Sequence, residues 1–162
     1  MWLHKTFAEK AAWQFVEQEK PNFDVTTINP PLVFGPTIYL ESLTAINTSN
    51  RRIRDLIGGV YKEGVPPTGG VYLWVDVRDV ALAHVRAIEV PEAGGHEFFV
   101  TAGHFANTDI VKIVRELHPE LHAKLPPKEA PSDHPSDVYG YDNRKSVEML
   151  GTTYHSLEEF RF

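Results

Sequence analysis

The chain has 162 residues with 22 acidic and 16 basic side chains, a formal net charge of −6 and a pI near 5.7. Hydrophobic residues at 42% and charged residues at 23% exclude disordered and fibrous classes and are enough for one buried core. The acidic balance argues against a nucleic-acid or membrane-surface partner, and the lack of cysteine excludes disulfide frameworks and thiolate metal sites.

No apolar run approaches the roughly 18 residues of a membrane span. Lys5, Glu9 and Lys10 interrupt any leader-like segment near the start. A cytoplasmic domain is therefore expected.

Residues 2–20 read as a helix. Leu3, Phe7, Ala11 and Phe15 recur every four residues, with Ala8, Ala12 and Val16 beside them, and Pro21 stops the run. Asp24 to Ile28 reads as a short strand. Asn29-Pro30-Pro31-Leu32-Val33-Phe34-Gly35-Pro36 follows, and its prolines predict a stiff extended loop that leaves the sheet.

Ser49 or Asn50 is expected to cap a helix carrying Ile53, Leu56 and Ile57, stopped by Gly58-Gly59. After the turn cluster 64–70, Val71 to Val75 reads as a strand. Asp76 then caps a helix reaching Val90, with Asp79 in its first turn. Val77, Val80, Ala81, His84, Val85 and Ile88 are expected to mark its buried stripe.

His96 to Thr101 reads as a further strand. Asn107 or Thr108 caps a helix with Ile110, Ile113, Val114 and Leu117. The proline-rich stretch 118–137 reads as a connecting loop without packed structure. A last helix runs from Asp142 to Leu150, closed by Gly151, with a short segment around Leu157. Strands alternating with helices predict an α/β fold.

The chemistry-bearing patterns are sparse. Gly58-Gly59, Gly69-Gly70 and Gly94-Gly95 lack the Gly-x-Gly-x-x-Gly spacing that lets backbone approach a pyrophosphate, so they read as turns. His118 and His122 are four apart, but Pro119 interrupts the turn and no third ligand has a suitable spacing. No metal is expected. No Gly-x-Ser-x-Gly elbow is present. The carboxylate pairs Glu158-Glu159 and Asp76 with Asp79 read as a charged face and a helix cap.

The ordered set is more informative than any member. Lys5 opens an amphipathic helix; a strand and Asn-Pro-Pro-Leu-Val-Phe-Gly-Pro follow. Then come Trp-Val-Asp-Val-Arg-Asp-Val-Ala-Leu-Ala-His and Asp142-x-x-Lys145-x-x-Glu148-x-Leu150-Gly151. In this order they resemble the C-terminal half of extended short-chain dehydrogenases/reductases, within the NAD-dependent epimerase/dehydratase superfamily. The nearest flavour is the dihydroflavonol-reductase-like group of fungal ketoreductases and methylglyoxal reductases. The resemblance runs from Lys5 to about Glu159.

It implies a Rossmann-type NAD(P)-binding fold without its N-terminal phosphate-binding half. Residues 1–36 and 71–90 would be the Rossmann remnant, and 37–70 and 91–162 mainly an irregular substrate-side subdomain of one partial domain. Lys5 would match the catalytic lysine of the family's Tyr-x-x-x-Lys pair, which holds the nicotinamide ribose and lowers the tyrosine pKa. Four residues before Lys5 stands Met1, so the tyrosine is expected to be missing. Pro30 and Leu32 would lie behind the nicotinamide, and Phe34 would border the pocket of a small carbonyl substrate.

The implied cofactor is NADP(H), not expected to bind these residues alone. Two functional classes remain open: part of a carbonyl reductase, or a catalytically silent truncated form, pseudoenzyme or interaction module. An exposed sheet edge predicts self-association.

Overall fold

The structure, a computed structural model, describes residues 2–37 and 46–159, the side chains of residues 2 and 3 aside. Met1, where the tyrosine would stand, and the Leu3 side chain lie outside the described residues. Helix α1 spans Trp2–Glu19. Strands β1 (Thr27–Asn29) and β2 (Leu32–Phe34) precede α2 (Thr48–Ile57), β3 (Leu73–Asp76) and α3 (Val77–Glu89). Then come β4 (Glu97–Phe99), β5 (Gly103–His104), α4 (Asn107–Leu117), a 3-10 turn (Pro119–Lys124) and α5 (Arg144–Leu150). A short 3-10 turn, Leu157–Glu159, is the last described element.

Two small ladders organise these elements. β1 pairs in parallel with β4, Thr27 opposite Glu97 and Asn29 opposite Phe99. β2 pairs in parallel with β3, whose other edge takes β5 antiparallel. Pro30 and Pro31 cannot donate to a ladder, so the chain steps there from one ladder to the next. The expected loop is thus shorter than its prolines suggested. Leu32, Val33 and Phe34 keep their N–H groups and re-enter as β2.

The alternation of β2 divides the molecule between two cores. Leu32 and Phe34 face one cluster with Trp74, Phe105, Leu56 and Val114. Val33 faces the other, with Val75, Phe98, Val100, Ala83 and Leu150. Residues 97–99 belong to the ladder of β1.

The caps differ from several expectations. Asn47, not Ser49 or Asn50, caps α2, accepting from the Asn50 N–H at 3.0 Å. Asp76 caps α3 as expected, through the Arg78 N–H at 2.8 Å. Asn107 is the first residue of α4, not its cap; Asp109 instead accepts from the Ala106 N–H at 2.8 Å. Gly151 closes α5 in the left-handed region, φ 64°.

Two expected stripes turn outward. On α3 the buried side chains are Asp79 and Ala83, while Ala81, His84, Val85 and Ile88 are exposed, Ile88 by 87%. The period was right, but the burial of Asp76 and Asp79 rotates the helix about its axis. On α1, Phe7 is 63% exposed and Phe15 is also exposed; Glu9, Ala12, Trp13 and Val16 face the protein.

The proline-rich segment 118–137 is packed after all. Leu125 enters the first core. Asp133 accepts from the Thr68 N–H, and from its hydroxyl at 2.8 Å.

Candidate active site

The site implied by the sequence begins on α1. Lys5 lies in its first turn, exposed to solvent. Glu9, one turn on and on the same helix face, accepts from the Thr27 hydroxyl at 2.7 Å and the Asn29 amide at 2.8 Å. These bonds, the Asn29 amide foremost, hold the Glu9 carboxyl below its ordinary value. Glu9 therefore fastens α1 across β1. Residues 20–26 return the chain from α1 to β1, so helix and strand run antiparallel. Lys5 consequently lies toward the carboxyl end of β1, the end at which open α/β sheets take ligands.

That strand end leads into Pro30, Pro31 and Leu32, all half-buried. Leu32 is the first residue of β2, opposite Trp74. Among the described residues no hydrogen bond joins Lys5 to Pro30 or Leu32; what they share is the end of β1. A groove of about 560 Å³ opens beside Asn29 and Phe99, walled by Arg144, Lys145 and Glu148. On its rim Asp142 receives two bonds from the Arg144 side chain, at 3.0 and 2.6 Å, and its carboxyl is pushed down to about 2.

Phe34 takes a different place from the one expected. Its ring is 0% exposed, stacked on Trp74 at 6.1 Å and edge-on to Phe105 at 5.1 Å. The side chain belongs to the core, Gly35 is buried with it, and the chain reaches the surface only at Pro36 and Thr37. Gly35 turns the chain at φ +129°, where a Cβ would stand 2.8 Å from the Val77 side chain. Asn50 clamps it, donating to the Gly35 carbonyl at 2.8 Å.

Sequence reasoning missed two polar clusters. Asp79, only 2% exposed, accepts from the His155 backbone N–H at 2.9 Å and from His155 Nδ1 at 2.6 Å. Arg52 donates to the Thr68 carbonyl at 2.8 Å and to Asn107 Oδ1 at 2.9 Å, while Asn107 donates to the Pro66 carbonyl at 2.9 Å. Both fasten distant segments, and buried polar residue types were their only sequence signal.

The histidines considered for a metal are otherwise engaged. His118 pairs with Glu120 at 3.0 Å, and His122 Nε2 donates to the Arg115 carbonyl at 2.7 Å. Among the described residues no group of three or more metal-ligating side chains is assembled. No helix among them is long and apolar enough to cross a membrane.

A dinucleotide fits these residues in part. Lys5 is exposed and makes no ion pair among the described residues. The glycine pairs, however, follow α2, sit in the 64–70 loop or precede β4. None joins a strand to a helix N-terminus, so these residues offer no pyrophosphate cradle.

No family model matches the chain. The ketoreductase azaE of Aspergillus niger is 52% identical over 154 residues, covering 94% of this chain and 46% of that protein. The NADPH-dependent methylglyoxal reductase GRE2 of Saccharomyces cerevisiae is 34% identical, covering 96% of this chain and 46% of its own length. The crystal structure of yeast Gre2 complexed with NADPH superposes with a TM-score of 0.83 at 32% identity, over 95% of this chain and 46% of that one. Vestitone reductase from alfalfa, at 22% identity and a TM-score of 0.65, shares the fold. The chain thus spans a little under half the length of the relatives it matches. Its sequence and its partial α/β sheet together match a little under half the length of reductases of the extended short-chain dehydrogenase/reductase family.

Proposed function

We propose that these residues form the substrate-side part of an NADPH-dependent carbonyl reductase acting on small ketones or aldehydes. The placement of Lys5 carries the reading: a cation in the first turn of α1, held by Glu9 toward the carboxyl end of β1. The names of the relatives, a ketoreductase and a methylglyoxal reductase, support the substrate class. The cysteine-free composition fits a reducing cytoplasm.

The bound nicotinamide would supply the hydride. Lys5 would donate to its ribose hydroxyls, and its positive charge would lower the pKa of a phenol one helical turn earlier, readying it to protonate a carbonyl oxygen. Pro30 and Leu32 would present a rigid, half-buried wall behind the ring. Pro36 and Thr37, which follow the buried Phe34 and Gly35, would border the substrate.

The 162 residues by themselves are read as catalytically silent, because neither that phenol nor a phosphate cradle is among them. Fluorescence titration with NADPH separates the two parts of this proposal. The 162-residue chain should show no binding at micromolar concentration. The same chain joined to the N-terminal portion of the A. niger ketoreductase should bind one equivalent. Tight binding by the chain alone would overturn the silent reading. No binding by a folded joined protein would overturn the reductase reading.

A further inference from the structure

A second groove lies away from Lys5, between α4 and the segment that follows it. Its volume is about 380 Å³, within the range of roughly 300–1,000 Å³ usual for small-molecule sites. Val65, Val111, Pro127 and Ala130 give it an apolar lining. Around that lining stand three cationic side chains, Lys112, Arg115 and Lys128, against one carboxylate, Glu116. This is a local positive excess on a chain whose net charge is −6.

The walls are fixed by the fold. Arg115 donates to the Pro126 carbonyl and so draws the 126–130 strand of chain onto α4. His122 Nε2 donates to the Arg115 carbonyl at 2.7 Å, which pins the 3-10 turn to the end of the same helix. Leu125, buried in the first core, anchors the stretch between them. Lys112 is held only loosely, 3.9 Å from Asp109, and among the described residues Lys128 makes no ion pair. Lys128, and Lys112 with its long ion pair to Asp109, therefore face the groove.

We propose that this groove binds an amphipathic organic anion, an apolar body carrying a carboxylate, sulfonate or phosphate. The body displaces water from Val65, Val111 and Ala130, and the anionic head sits between Lys112 and Lys128. The site is independent of the reductase reading, since Lys5 and β1 take no part in it.

The test uses 8-anilinonaphthalene-1-sulfonate as the probe on the 15N-labelled 162-residue chain. Amide shifts should concentrate at residues 108–116 and 122–130. The double variant Lys112→Glu, Lys128→Glu should weaken binding at least about tenfold, while Lys112→Arg, Lys128→Arg should retain it. The uncharged analogue N-phenyl-1-naphthylamine should bind more weakly. Shifts confined to the exposed sides of α1 or α3 would overturn the proposal. So would equal affinity for the uncharged analogue, indifference to charge reversal, or no binding at millimolar probe.

Discussion

Asp76 shows how much one side chain settles in this fold. It ends β3, caps α3 and is fully buried, accepting from the Arg78 N–H, Nε and Nη2, each at 2.8 Å. Burial pushes its carboxyl upward, but the Arg78 side-chain and backbone bonds outweigh that and hold it below the usual range. A depressed folded-state pKa stabilises the protein above the unfolded value near 3.9, and the contribution fades as pH falls below it. Asp76→Asn should therefore cost about 1–2 kcal/mol at pH 7. In urea melts the gap to the parent protein should narrow toward pH 3; a constant gap from pH 7 to 3 would sink this account. The cap was legible from sequence because its partner is two residues away. Asp79 stands in the first turn of α3 as expected, but its bond to His155, 76 positions on, was not legible.

Among the elements, the segment between α4 and α5 separates what composition reveals from what packing decides. Its prolines correctly exclude regular helix and strand, yet a proline-rich chain can still bury the apolar residues it carries. Leu125 does so, 5% exposed among Leu56, Val114 and Phe105. Leu125→Ala should lower unfolding stability by about 3 kcal/mol. A loss below about 0.5 kcal/mol would return the segment to a mere tether. The helices teach the complementary lesson. The periodicity of α1 and α3 located both helices, but hydrophobicity alone did not choose the docking side. On α1 that choice falls to Glu9 and its two bonds to β1; on α3 it falls to the buried Asp79.

At the scale of the whole molecule, the short ladders and outward-facing apolar residues belong together. Phe7 and Phe15 on α1 and Val85 and Ile88 on α3 are all exposed. The matched relatives are about twice as long as this chain, which covers 46% of each. Sedimentation velocity of the 162-residue chain should show concentration-dependent self-association that Val85→Lys with Ile88→Lys reduces. A monomer at every concentration would contradict this. The ordered motifs made the family legible, whereas the roles of Lys5, Pro30 and Leu32 rest on the resemblance and belong to the proposal. The inward turn of the Phe34 ring was decided by packing that its local sequence does not show.

The central claim, that Lys5 stands where a carbonyl reductase needs its cation, is tested most directly in the joined protein. This carries the N-terminal portion of the A. niger ketoreductase, through a tyrosine one turn before Lys5, followed by residues 2–162. Steady-state NADPH oxidation with a small ketone should be measurable, and Lys5→Ala should lower kcat/KM by at least about a hundredfold while the fold is retained. A folded, NADPH-binding protein whose activity is indifferent to Lys5→Ala would contradict it.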